Sequence, residues 1–168
     1  MKLKSLLGAF MIMMFLGGGT MQSAEKVQLP IKEIIQHCQS VNVVYNGVQN
    51  KLPKQDMQST VSVFCEMIDD AYEMPAFGVA INNEVEEHKK NGVFVEFCFN
   101  DLTEHNGMPF YKLLVEVNAE YSGFNIIRYY DAGYNGRCFY INLNNGTMKN
   151  LYNHILSLSC CKIDTDVS

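Results

Sequence analysis

Apolar and polar positions change their rhythm once along this chain. Up to Gly92 the apolar residues recur at helical spacing, and beyond it they alternate. Pro30 is placed as the first residue of a short helix reaching about Ser40, with Ile31, Ile34 and Ile35 on one side. Val41 to Tyr45 reads as a brief strand running into an Asn46-Gly47 turn. Pro53 opens the longest predicted helix, to about Met74, with Val61, Phe64, Cys65, Ile68 and Tyr72 as its buried stripe. Glu66, Asp69, Asp70 and Glu73 fall off that stripe and read as a solvated acidic face rather than metal ligands. Pro75 stops this helix. Phe77 to Ile81 is an apolar stretch of no assigned form. Asn83 can cap a third helix in which glutamates come early, Lys89 and Lys90 come late, and Gly92 follows the end.

From Gly92 the period is two. Val93–Asn100, Phe110–Ala119, Phe124–Tyr130 and Gly136–Leu143 read as four strands with short connections. A last helix, about Thr147 to Leu158, carries Leu151, Ile155 and Leu158 on one face. The predicted fold is α+β: N-terminal helices, then a four-stranded antiparallel meander sheet, then a C-terminal helix. Residues 25–168 form one domain of this kind.

Alternation sorts the strand residues by face. Val93, Val95, Phe97 and Phe99 share a side with Tyr111, Leu113, Val115 and Val117, and Val95, Phe97, Val115 and Val117 read as core together with Val61, Phe64 and Ile68. Phe94, Glu96 and Cys98 share the other with Lys112, Leu114, Glu116 and Asn118. If Gly123 closes a three-residue loop in the left-handed conformation, Glu120 faces Phe124 and Glu116 faces Arg128. The next hairpin admits two registers. A tight Asn135-Gly136 turn holds Arg128 and Arg137 roughly 20 Å apart; a loop over Asp131 to Gly136 makes them diagonal neighbours at about 7–8 Å. Either way the chain's two arginines fall on one face with Glu116 and Glu96. Phe124, Ile126, Phe139 and Ile141 join that face, and Tyr129, Tyr130, Tyr134 and Tyr140 crowd the same hairpin.

Charge and composition narrow the function classes. Apolar residues make up 48% and charged residues 18% of 168 residues, which excludes a disordered chain. The net charge of −5 repels phosphate backbones and argues against nucleic-acid binding. Residues 1–24 have a basic start and an apolar run over Ser5 to Leu16, the layout of a secretory signal and too short for a membrane span. On that preferred reading the protein is secreted. A competing reading takes Gly17-Gly18-Gly19 as a translated ribosome-binding site and Met21 as the true start, which makes the protein cytoplasmic. Six cysteines show neither CxxC pairs nor Cys/His metal spacing. Cys65, Cys98 and Cys138 lie inside apolar patterns and read as free buried thiols. Adjacent Cys160 and Cys161 read as a frayed end.

No nucleophile elbow, phosphate loop, zinc-protease or dinucleotide motif is present, and neither a metal nor a cofactor is implied. The expected function is that of a small acidic, non-enzymatic binding protein. Its candidate binding residues are Arg128, Arg137, Glu96, Glu116, Tyr130 and Tyr140, and its partner is a protein bearing an acidic group or a small carboxylate, which arginine forks suit. The alternative is a small hydrolase-like enzyme using the Glu96/Glu116 pair or a cysteine–histidine pair. Asn145-Gly146-Thr147 is a glycosylation sequon that matters only on a eukaryotic secretory route.

Overall fold

The computed structural model describes residues 29–76, 82–120, 123–144 and 146–161. Its elements run α1 (Ile31–Gln36), β1 (Ser40–Tyr45), β2 (Val48–Lys51), α2 (Lys54–Met67), β3 (Ile68–Ala76), α3 (Asn82–Lys89), β4 (Val93–His105), β5 (Met108–Glu116), β6 (Gly123–Tyr130), β7 (Gly133–Leu143) and α4 (Lys149–Ser157), followed by a 3₁₀ turn over Ser159–Cys161. The class is α+β with an antiparallel sheet. The sheet has seven strands, not four, in the order β2-β1-β4-β5-β6-β7-β3. The four expected strands form its centre, and α3 lies between strands in the chain.

One sequence expectation is revised at a sheet edge. The second helix ends at Met67, and Ile68 to Ala76 is an edge strand paired with β7. Helical spacing alone suggested continuation to Met74. Pairing decides otherwise, because β3 satisfies the outer N–H and C=O groups of β7 that a helix would leave bare. Pro75 is compatible with this because an edge strand needs only one hydrogen-bonded side. At the opposite edge β1 forms as expected, and Asn46 (φ 48°) and Gly47 (φ 82°) make the left-handed pair of a two-residue hairpin to β2. The first helix is shorter than expected and ends at Gln36.

The main core lies between one face of the sheet and α1, α2 and α4. Val93, Val95, Phe97, Phe99, Leu113, Val115 and Val117 all point into it, as alternation predicted. Phe64 of α2 packs on Phe97 with ring centroids 4.8 Å apart, and Leu151 and Ile155 of α4 are fully buried. Val61, expected in the core, is only partly buried against it, and Thr60 takes the inward position. Each large apolar side chain buried in this way contributes about 1.5–3 kcal/mol. The opposite face carries a smaller cluster of Val44, Phe94, Leu114, Ile127, Tyr134 and Cys138. It is covered by α3 through one apolar side chain, Val85. Gly92, just past α3, has no left-handed backbone. A Cβ there would sit 2.7 Å from Phe94 Cε2 and 2.9 Å from His88 O, so close packing is what requires glycine. The stretch from Phe77 to Ile81 lies outside the described residues.

Candidate functional site

The expected meeting of Glu116 and Arg128 does not occur. β6 pairs with β5 in the register Leu113↔Arg128 and Val115↔Ile126, three residues from the expected one. Gly123 is a strand residue opposite Asn142 rather than a turn residue, so the β5–β6 connection is longer than the hairpin that was assumed. An odd shift turns every side chain of β6 to the other face. Ile126 therefore lies in the main core, together with Phe139 and Ile141 of β7. Arg128 sits there too, 4% exposed, and donates from Nη1 to the carbonyl of Pro109 at 2.6 Å.

The β6–β7 hairpin also follows neither expected register. Asp131 (φ 54°) and Ala132 (φ 63°) form its two-residue turn, with Tyr130 opposite Gly133. A bulge then sets Arg128 opposite Asn135 and Ile127 opposite Cys138, so Arg137 falls in the bulge; its side chain lies outside the described residues. Tyr130 and Tyr140 are both half-buried: Tyr130 ends β6, and Tyr140 lies in β7 between Asn125 and Met74.

Glu96 does occupy a built polar site. It stands midway along β4, where alternation sends Val95 and Phe97 into the main core and turns the carboxylate toward α3. There it is 1% exposed. A carboxylate removed from water needs donors to survive as an anion. Asn42 Nδ2 donates to Oε2 at 2.7 Å, and the Tyr134 hydroxyl donates to Oε1 at 2.7 Å. Lys112 Nζ reaches Oε1 at 3.3 Å, and Cys98 Sγ lies 3.7 Å from Oε2. Burial alone would raise the carboxyl pKa. The Asn42 and Tyr134 hydrogen bonds and the charges of Lys112 and Lys89 outweigh it, and the group is held below its usual range.

Tyr134 joins this carboxylate to α3. Its hydroxyl accepts from Lys89 Nζ at 2.5 Å while its backbone N–H donates to Asn82 Oδ1 at 3.1 Å. Both ends of α3 are thus tied to one residue of β7. Lys89 lies 4.3 Å from the centre of the Tyr134 ring and 3.5 Å from Glu86 Oε1. Burial, then the Glu96 charge, pushes the Tyr134 phenol far above its ordinary value, so it stays a neutral donor.

At the open side of the network Lys112 stands 4.9 Å from the centre of the Tyr129 ring, which meets Tyr134 edge-on at 5.3 Å. The Lys112 side chain is 34% exposed, against 1% for Glu96. Asn42, Cys98 and Tyr129 are half-buried around it. Glu116 shares this face, opposite Phe94 and diagonal to Glu96, with His88 Nδ1 at 3.7 Å. The structure therefore brings together Glu96 and Glu116 and keeps Arg128 on the far side of the sheet.

Asn42, Lys89, Lys112, Tyr129 and Tyr134 are the members that sequence reasoning did not assemble. Alternation already set Lys112 and Glu96 on one face. A bulge between Cys98 and Thr103 hid that Lys112 stands opposite Cys98, one step from Glu96. Lys89 carried only the signature of a helix-end cation. Among the described residues no group of three or more histidine, cysteine or acidic side chains is arranged to hold a metal ion. No described helix is long and apolar enough to cross a membrane. Comparisons with protein-family models, with curated proteins and with solved structures find no match for this chain.

Proposed function

We propose that the protein is a non-catalytic interaction module that receives a carboxylate of its partner, on a protein or on a small acid, at Lys112 beside Tyr129. One observation carries this reading: the Lys112 ammonium is held in place by a buried carboxylate and an aromatic ring while a third of the side chain remains exposed. An ammonium has three donors, so the Glu96 contact leaves it capacity for an incoming anion. Preorganisation lowers the cost of binding because the side chain is ordered before the partner arrives.

The hydrolase-like alternative finds less support. Glu96 is sealed by its donors and held below the range in which it would act as a general acid. Burial pushes the Cys38 thiol up to about 12 and the Cys98 thiol up to about 11, the latter helped by Glu96, so neither supplies a thiolate at neutral pH.

The reading is tested by titrating the ¹⁵N-labelled protein with an acetylated tetraglutamate peptide. Amide shifts should move around Lys112, Tyr129 and Cys98, weaken with salt, and vanish in Lys112→Gln while persisting in the α4 surface variant Lys149→Gln. Shifts that map elsewhere, or that survive Lys112→Gln, would sink it.

A further inference from the structure

Cys160 and Cys161 were expected to fray, and they do not. They close the 3₁₀ turn after α4, where the Cys161 N–H donates to Leu158 O at 3.1 Å. Cys161 is 5% exposed inside the main core, and Cys160 is partly buried against the same core with part of its surface in solvent. Their sulfurs lie 3.8 Å apart in mutual hydrogen-bond contact. Neither Cys160 nor Cys161 is bridged, and the two stand side by side, one half-buried and one enclosed. Cys38, Cys65 and Cys138 are buried, and Cys98 is half-buried within 3.7 Å of the Glu96 carboxylate, which disfavours a thiolate.

We propose that Cys160 and Cys161 form a vicinal dithiol site that exchanges with low-molecular-weight disulfides of the glutathione class, Cys160 capturing the first sulfur and Cys161 resolving it. In the first step the Cys160 thiolate attacks one sulfur of the small disulfide; a Cys160–glutathione bond forms, and one glutathione leaves as a thiolate that takes a proton from water. In the second, the Cys161 sulfur attacks the Cys160 sulfur, the Cys160–glutathione bond breaks, and the departing glutathione thiolate takes up the proton that Cys161 loses, closing Cys160 Sγ to Cys161 Sγ. Two protein thiols are oxidised and one small disulfide is reduced to two thiols, with no other oxidant needed. The order follows from access. Cys161 is enclosed, and burial and then its neighbour push its thiol up to about 12, so it does not lead. Next to a captured sulfur it needs no diffusion to react.

Geometry also dictates that the product is labile. Relaxed disulfides hold their Cα atoms roughly 4.4–6.8 Å apart, whereas adjacent residues are fixed at about 3.8 Å, so the bridge is strained and readily reduced. The site therefore reports the surrounding thiol–disulfide ratio rather than locking the fold.

The experiment incubates the full chain with oxidised glutathione, quenches with acid, and maps the cysteine peptides by mass spectrometry. The wild-type peptide holding Cys160 and Cys161 should lose two hydrogens and carry no glutathione, and a small excess of reduced glutathione should reverse this. Cys161→Ala should instead accumulate one glutathione on Cys160, and Cys160→Ser should leave Cys161 unmodified while amide spectra show both variants folded. A stable glutathione adduct on the wild-type pair, no reaction at the pair, or faster modification of Cys98 overturns the proposal; each is read on the wild-type chain without either variant.

Discussion

Replacing Glu96 with glutamine removes one charge and no volume, and the network described above sets its cost. The variant side chain can still accept from the Tyr134 hydroxyl. Its amide nitrogen, however, would meet the Asn42 Nδ2 donor that Oε2 now accepts at 2.7 Å. Two ammonium groups also lose a neighbouring negative charge. Lys112, 34% exposed, recovers most of its loss from water. Lys89, at 11%, recovers less from water but keeps Glu86 Oε1 at 3.5 Å. Removing one partner of a buried ionic set costs roughly 3–5 kcal/mol, and the partial exposure of Lys112 places this case near 3 kcal/mol.

Urea unfolding at neutral pH should show the midpoint falling with the slope unchanged. Acid supplies a second readout with a definite sign. A carboxyl held below its usual pKa in the folded state stabilises the fold fully above the unfolded value of about 4.3. That contribution is lost as pH falls through the unfolded pKa toward the depressed folded one. Glu96→Gln should flatten this part of the wild-type profile. Pairing Glu96→Leu with Lys89→Met should cost less than the two single changes added, because the two charges are coupled through the Tyr134 hydroxyl. A cost below about 1 kcal/mol for Glu96→Gln, or simple additivity in the double variant, would refute the claim that these charges act as one buried unit.

Arg128→Met keeps the aliphatic stem and removes the donor to the Pro109 carbonyl; it should cost about 2 kcal/mol in the same melts, against at most about 1 kcal/mol for an exposed cross-strand pair. Ala132→Gly should raise stability by about 0.5 kcal/mol, since a left-handed alanine costs about 1–2 kcal/mol and glycine returns part of that gain as unfolded-chain entropy. Gly92→Ala should destabilise by about 1–3 kcal/mol because the added methyl meets the Phe94 ring and the His88 carbonyl; an unchanged thermal midpoint would show that α3 shifts freely to admit it.

What could be read from sequence was whatever depends on neighbours in the chain. Alternation in β4 and β5 gave the correct inward residues, from Val93 to Phe99 and from Leu113 to Val117, because a pleat fixes sides without reference to a partner. Asn46-Gly47 announced its hairpin, and Leu151 and Ile155 announced the buried stripe of α4. Misreadings gathered where a distant strand decides. Ile68 to Ala76 carries a helical pattern but lies beside β7, and nothing local signals that an edge is waiting for it. The register of β6 was inferred from Gly123, a plausible turn glycine, and this single assignment moved Arg128 to the wrong face. Asp131-Ala132 was overlooked as a turn because alanine rarely accepts a left-handed backbone. Of the candidate site, Glu96 and Glu116 were legible as same-face acids, whereas Lys89 and Tyr134 meet only through tertiary packing.

The strand order carries a kinetic consequence. β4, β5, β6 and β7 are consecutive, and two of their three connections are two-residue turns, so these strands can pair with little loop entropy to overcome. β1 must find β4 across roughly fifty residues that include α2 and β3, and β3 must find β7 across about as many. The meander is thus the natural nucleus, and the strands on both its flanks are late additions. Glu96 belongs to the early part and Asn42 to the late part, so the buried carboxylate waits for its last donor until β1 has docked. Until then water must serve in its place, and the final desolvation of the anion coincides with the closing of the sheet.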